Sequence, residues 1–561
     1  MLIYNRNIFS LKFVFFASVI FVSAIFIEIK YDVLHQVKDV TKGIYLLNNF
    51  INDNDLSNMK EEMRDKMFID AISMYAKTIP KRFSNETELK FIILAVTDNS
   101  FFDMALNLYL TSFKKFKIIN FLFVGIGKTA CKNFLKMNVQ CFYFTETSGS
   151  NNTADFGSKQ FQQKVNIRTE MILKALKADF SVLHTDVDVT FLDNPIPYIE
   201  SKAMKIQNVA FQSDIISYNS GFLIIKPTNF SIELYTLTRD VANKSRSIDD
   251  QESLNLAIKV MQSKYKSNPE ISSIDIFDKT KILCGKCYFE EVDRNFPTKN
   301  GSNGCPGCLV MHNNWIKTHA AKVYRFKEIL LWFVDKGGYY SDRNRKYLLY
   351  NNPFFSFPPV NYTTDREELN ALKTGFALAQ MLNRTLIIPR FHCRGAKNPY
   401  ECSLIHWINV KSFDMFFEYR ENSFLSNPLV PENIRKNLSQ TCPYGKNQNK
   451  NLNNLNVCTP PLKNFTTECL EPVWILIDSK KSVPYNDLIR DSYDRVVTIN
   501  LKNYTQIPEQ EILKKFGKCD DGVLHVVSLI GVEVTFDNIT KNNEFETKIR
   551  SGFLRNGYMQ L

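Results

Sequence analysis

ADFSVLHTDVDVTFLDNP, residues 178–195, sets two carboxylates, Asp186 and Asp188, one residue apart at the end of an apolar run. Phe180 to Thr185 reads as a short buried strand, so the triplet falls at its carboxyl end, where open α/β sheets bind ligands. Carboxylates in that position can reach one divalent cation and the diphosphate it carries, and oxygen donors suit Mn2+ or Mg2+. Taken alone, the triplet also fits a turn whose aspartates cap backbone amides. A second triplet, Asp53-Asn54-Asp55, lies in a polar stretch before a helix, where Asp55 is more simply an N-cap.

The texture around the first triplet separates them. Short apolar runs FIILAVT (91–97), IINFLFVG (118–125), CFYF (141–144), VAFQ (209–212) and FLIIK (222–226) alternate with helical patterns at 101–115, 158–177 and 228–242. This alternation predicts βαβ units around a mostly parallel sheet. A second α/β texture begins near Asp365, with a helix over 366–382 leading into LIIP (386–389), VWILI (473–477), VVTI (496–499) and VLHVVSLI (523–530). The Asn- and Lys-rich stretch 445–456 reads as a surface loop. Before Leu89 the chain is charged and weakly helical, with an amphipathic helix over Asp55 to Ala76 that Pro80-Lys81-Arg82 ends.

The 561 residues are 44% hydrophobic and 23% charged with 20 Gly and 20 Pro, which excludes collagen-like, low-complexity and wholly disordered chains. Lys plus Arg exceed Asp plus Glu by 70 − 58, a formal +12 that by itself invites a nucleic-acid or anionic-surface reading. At the N-terminus, Phe13 to Ile27 is fifteen residues without charge, with Arg6 and Lys12 before it and Glu28, Lys30 and Asp32 after it. The positive side is N-terminal, so an uncleaved anchor would leave the bulk of the chain lumenal. A cleaved signal peptide ending near Val22-Ser23-Ala24 is the rival. Sequons beginning at Asn85, Asn151, Asn229, Asn243, Asn300, Asn361, Asn383, Asn437, Asn464, Asn503 and Asn538 agree with a lumenal course. Cys284-Gly-Lys-Cys287 and Cys305-Pro-Gly-Cys308 have zinc-site spacing, but an oxidising lumen favours disulfides, and the spacing leaves their connectivity open. Cys131 with Cys141, and Cys393, Cys402, Cys442, Cys458, Cys469 and Cys519 further on, fall under the same expectation.

The triplet block, together with YNSGFLIIKPT (218–228), DDQESLNLAI (249–258) and HNNWIKTHAAKVYRFKE (312–328), resembles the nucleotide-diphospho-sugar transferase domain of glycosyltransferase family 77, the family of plant xylosyl- and arabinosyltransferases. LNRTLIIPRFHC (382–393) and FEYRENSFLSNPLVP (417–431) are similar to the C-terminal half of its arabinosyltransferase-like members, so the resemblance covers roughly 89–431 and leaves 432–561 unmatched. It implies an α/β fold of GT-A (Rossmann-like) type, a nucleotide sugar such as a UDP-sugar as donor, a glycan or glycoprotein acceptor, Mn2+ or Mg2+, and transfer with retention. The chain then divides into 1–30 as cytoplasmic tail and signal anchor, 31–88 as stem, 89–350 as the transferase domain, and 351–561 as a C-terminal α/β module that binds acceptor or is accessory. A type II protein of the Golgi or ER membrane with its catalytic part lumenal follows, and no nucleic-acid partner.

By the same resemblance, Asp186, Asp188 and His312 hold the metal. Thr97 and Asp98 lie where the base is held, and Arg168 where a cation sits near the diphosphate. Asn219 and Gly221 line the donor sugar, and Asp250 and Gln251 lie beneath the reacting carbon. An amide is a poor nucleophile, so Gln251 favours same-face attack, with Asp250 or Gln251 stabilising the oxocarbenium-like centre. The block at His312 departs from the family in one respect: members often carry a glycine a few residues after it, where this chain has Lys317-Thr318. Two rival readings remain. One is a lumenal binding protein that keeps the fold and has lost catalysis. The other is a zinc-ribbon nucleic-acid binder, which accounts for the charge and the CxxC spacing alone.

Overall fold

The computed structural model describes residues 61–80, 88–145, 158–244, 248–269, 271–289, 305–351, 365–389, 391–394, 399–439, 506–517, 523–529 and 532–553. The anchor run at 13–27, the triplet at 53–55, the strands expected at 473–477 and 496–499 and the loop at 445–456 lie outside them. So do the sequons at Asn85, Asn151, Asn300, Asn361, Asn464 and Asn503. Among the described residues no helix is long and apolar enough to cross a membrane.

The main sheet runs in the order Cys141–Thr145, Phe121–Ile126, Leu89–Asp98, Ser181–Thr185, Tyr218–Ile225, Val209–Ser213, Ile274–Ile276. The first four strands are parallel. Leu89–Asp98 is buried on both faces, as a central parallel strand with helical crossovers requires. Phe91, Ile93 and Ala95 enter the core on one side and Ile92 and Leu94 the core on the other. The sheet is mostly parallel, as expected, with an exception at Tyr218–Ile225, which runs antiparallel to both of its neighbours. That reversal brings the start of Tyr218–Ile225 to the same end of the sheet as the carboxyl end of Ser181–Thr185, with Thr185 opposite Phe222. A three-stranded sheet of Ile282–Cys284, Val310–His312 and Val189–Phe191 closes over this end, and its register sets His312 opposite Val189.

The stem expected over 31–88 shrinks from its C-terminal side. Helix Glu61–Tyr75 buries Phe68, Ala71, Ile72 and Tyr75, at i, i+3, i+4 and i+7 and so on one apolar stripe, within the core that also holds Ile92 and Leu122. Burying Phe68 or Ile72 stabilises by roughly 1.5–3 kcal/mol each, so this helix is part of the domain. Strand Lys77–Ile79 then pairs antiparallel with Leu89–Asp98.

The C-terminal module has its own parallel sheet, in the order Tyr419–Arg420, Thr385–Ile387, Tyr347–Asn351, Val523–Ser528. Because Tyr347–Asn351 is one of its strands, a boundary between 350 and 351 cuts through that sheet, and the module begins earlier. Helix Asp365–Met381 crosses between the strands at Tyr347 and Thr385, as its pattern predicts. Disulfides join Cys131 to Cys141, Cys284 to Cys287 and Cys305 to Cys308, so each CxxC closes on itself.

Candidate active site

A cavity of about 450 Å3 opens at the carboxyl ends of the parallel strands. Thr97, Asp98, Arg168, Asp186, Asp188, Asn219, Asp250, Gln251 and His312 all line it, so nearly every residue singled out from the sequence meets in one place. Gly221 lies behind Asp186. A Cβ there would stand 2.3 Å from Asp186 Oδ2 and 2.6 Å from His312 Cε1, so the absence of a side chain admits these two groups. Its carbonyl accepts from the Asp186 amide at 2.6 Å. Gly221→Ala should therefore separate Asp186 from His312 and weaken Mn2+ binding by tenfold or more while the sheet still forms. Calorimetric titration with Mn2+ checks this, and unchanged affinity would contradict the packing argument.

Three donor atoms, one each from Asp186, Asp188 and His312, lie within 4.8 Å of one another. His312 Nε2 is 3.2 Å from Asp188 Oδ1 and 3.8 Å from Asp186 Oδ2. The tautomer follows from the neighbouring amide. Gln212 Nε2 donates to Leu283 O at 2.7 Å, which turns Gln212 Oε1 toward the imidazole, so His312 Nδ1 donates to it at 2.8 Å. The Nε2 lone pair is left facing the two carboxylates, the arrangement of a metal-binding histidine whose other nitrogen is held by an acceptor. The donor set of two carboxylates and one imidazole fits Mn2+ or Mg2+.

Cations surround the pair. Arg168 Nη1 bonds Asp186 Oδ1, and Nη2 bonds Asp250 Oδ2 and donates to Ser220 Oγ at 3.3 Å. The guanidinium is thus committed to two carboxylates instead of standing free for a diphosphate. Lys322 Nζ donates to Asp188 Oδ2 at 2.6 Å, and Lys164 pairs with Asp98 at 2.5 Å. Asp98 also accepts from Ser100 Oγ at 2.6 Å and from the Phe101 amide at 2.8 Å, which shapes the turn after the first central strand. Burial would raise the Asp186 carboxyl, but Arg168, His184 and His312 outweigh it and hold it well below the usual range. Burial opposes ionisation of Asp188 too, and Lys322 and His312 bring it below that range. Asp250 is pushed up by burial and then by the charges of Asp186 and Asp249, against the pull of Arg168.

Groups whose folded values are depressed add stability that is fully present above the unfolded carboxylate value of about 4 and is lost as pH falls below it. Melting temperature should therefore drop with acidification below about pH 4, and Asp186→Asn should flatten that part of the curve. A slope unchanged in the variant would count against the pairing.

Gln251 is held on both sides. Its Nε2 donates to Asp214 Oδ2 at 2.8 Å, and its Oε1 accepts from Asn219 Nδ2 at 3.1 Å and from the Ser220 amide at 3.3 Å. Asp214 Oδ1 in turn accepts from Asn314 Nδ2 at 2.9 Å and Trp315 Nε1 at 2.7 Å. Trp315 sits at φ +58°, left-handed backbone that a glycine adopts without cost, and its indole bond to Asp214 offsets part of a penalty of about 1–2 kcal/mol. Sequence reasoning missed Asp214, Lys322, Lys164, Gln212 and His184. His184 and Lys322 lie inside the blocks at 178–195 and 312–328 without holding a motif position there; His184 meets Asp186 two residues on, while the other four take their meaning from partners far along the chain.

The comparisons with known proteins agree with this geometry. Residues 117–326 match the family model described as nucleotide-diphospho-sugar transferase. The chain is 27% identical over 277 residues to the beta-arabinofuranosyltransferase RAY1 of Arabidopsis thaliana, covering 44% of this chain and 48% of that one. It is 22% identical over 207 residues to the UDP-D-xylose:L-fucose alpha-1,3-D-xylosyltransferase MGP4 of the same plant, covering 32% and 52%. To the UDP-galactose:fucoside alpha-3-galactosyltransferase of Dictyostelium discoideum it is 26% identical over 198 residues, covering 33% and 30%. The matched stretch thus spans about half or less of these curated relatives. The solved structure of the galactosyltransferase LgtC with donor and acceptor sugar analogs aligns with 41% of this chain and 87% of its own at 12% identity and a TM-score of 0.26. Residues 117–326 thus match the nucleotide-diphospho-sugar transferase model, and the chain is similar to plant arabinosyl- and xylosyltransferases, the resemblance its sequence blocks had implied.

Proposed function

We propose that this chain is a metal-dependent glycosyltransferase of GT-A type that moves a sugar from a UDP-sugar to a glycan or glycoprotein acceptor with retention. The sugar is a pentose such as xylose or arabinose, or galactose, the classes named for the relatives. The observation that carries this reading is the convergence of Asp186 Oδ2, Asp188 Oδ1 and His312 Nε2 on one point of the cavity, inside the matched domain. When bound there, Mn2+ or Mg2+ supplies neutralisation of the charge that develops on the departing diphosphate.

The protein's own groups do the rest. Gln212 keeps His312 in the tautomer with its lone pair inward. Arg168 ties Asp186 to Asp250, so the metal side and the sugar side share one cation. Lys164, Lys317 and Lys322 line the cavity and draw an anionic donor into it. Gln251, with its oxygen already accepting two bonds, is a poor nucleophile, and this supports same-face attack. Asp250 then supplies negative charge near the oxocarbenium-like centre. The same proposal puts the catalytic part in the Golgi or ER lumen behind a single-pass anchor over Phe13 to Ile27, on the strength of the charges flanking that run.

Incubating the purified 561-residue chain with Mn2+ and a panel of UDP-pentoses and UDP-galactose should release UDP from at least one donor, and EDTA should stop the release. Turnover of none, with the fold intact, would replace the enzyme by a lumenal binding protein of the same fold.

A further inference from the structure

Each metal-facing carboxylate has one oxygen taken and one oxygen free to coordinate. Asp186 Oδ1 is bonded by Arg168 and lies 3.3 Å from His184 Nε2, which leaves Oδ2 toward His312. Asp188 Oδ2 accepts from Lys322 Nζ at 2.6 Å, which leaves Oδ1 toward His312. Lys322 is held at this post by its own backbone: it lies in the first turn of helix His319–Glu328, whose N-cap is Thr318, and its carbonyl accepts from Asn313 Nδ2 at 2.9 Å. Asn313 is itself anchored to the Asp188 carbonyl at 2.9 Å, so the lysine, the aspartate and the histidine loop form one closed set of bonds.

We infer that Lys322, with Arg168 on the opposite carboxylate, selects the cation by forcing one-oxygen coordination. This rests on the metal-dependent reading above and deepens it. A small octahedral ion such as Mn2+ or Mg2+ is served by two single carboxylate oxygens and one imidazole, with the remaining positions open to phosphate oxygens or water. Ca2+ is larger, takes six to eight oxygens and reaches that number more readily where a carboxylate gives both of its oxygens, which these ion pairs deny it. The lysine has a second effect: its charge beside Asp188 weakens binding of every divalent cation, so the site loads best when a diphosphate arrives to share the charge.

Binding of the metal alone tests this on the whole chain without any donor. Electron paramagnetic resonance counts free Mn2+ directly, and Ca2+ is added as competitor. Lys322→Met keeps the length of the stem and removes the ammonium. The variant should bind both ions more tightly, but Ca2+ by about tenfold more than Mn2+, so that the Mn2+ preference falls by that factor. Lys322→Arg, which restores charge and donor, should restore the preference. An unchanged preference in a Lys322→Met protein that melts like the parent would overturn the inference and leave the proposed function standing. A parent chain that binds no Mn2+ even when UDP is added would overturn both.

Discussion

Asp188→Asn should lower transfer by about 10²–10³-fold while the protein keeps its fold. The side chain is 5% exposed, and its two oxygens are divided between His312 and Lys322. An amide of the same shape keeps both neighbours but not the metal site. If its oxygen stays with Lys322, its N–H donates to the His312 Nε2 lone pair and withdraws that nitrogen as a donor to the metal. If it turns over, the N–H faces the lysine. Either way an anionic metal donor is lost. The backbone contribution survives, since the Asp188 carbonyl still accepts from the Asn313 amide. Turnover at saturating Mn2+ is the measurement, with circular dichroism to show that the sheet persists. Activity near that of the parent would remove Asp188 from the site.

Arg168→Met should cost about 3 kcal/mol of stability, because it leaves Asp250 buried and Asp186 half-buried without their shared cation. The loss has a distinctive pH dependence. With Arg168 gone, burial and the neighbouring carboxylate drive the Asp250 value further up. A group whose folded value exceeds its unfolded value of about 4 contributes stability below that value and loses it as pH rises through the folded one. The gap between parent and variant, read from denaturant unfolding, should therefore be widest at neutral pH and narrow toward acid. Adding Asp250→Asn to Arg168→Met should recover part of the loss. A gap independent of pH would show that the arginine stabilises by packing alone.

The strands at 91–97, 141–144 and 180–185 were legible because each is a short apolar run with turn residues on either side, and burial on both faces selects for that pattern. Helices at 158–177 and 228–242 were legible from their apolar period, and the structure sets them at Lys159–Lys177 and Asn229–Lys244. The helix at Glu61–Tyr75 was recognised as a helix but assigned to a stem. Its stripe of Phe68, Ala71, Ile72 and Tyr75 reveals an apolar face without naming the surface that covers it. The antiparallel turn of Tyr218–Ile225 was not legible either. An apolar run carries no direction, which comes from how its connection returns to the sheet.

The sequence by itself determined the chemistry of the donors: Asp186 and Asp188 end a strand whose pattern dictates where it stops, and His312 lies in a block whose composition marks it. Tertiary structure decided what those donors can do. Lys322 reaches Asp188 across 134 residues, and Arg168 joins Asp186 to a second carboxylate at Asp250. Gln212 orients His312 from 100 residues away. Local spacing is enforced by the geometry of one strand or one helix turn. Electrostatic partnership depends on distance through space, and that is set only when the sheet closes and brings these segments to one end.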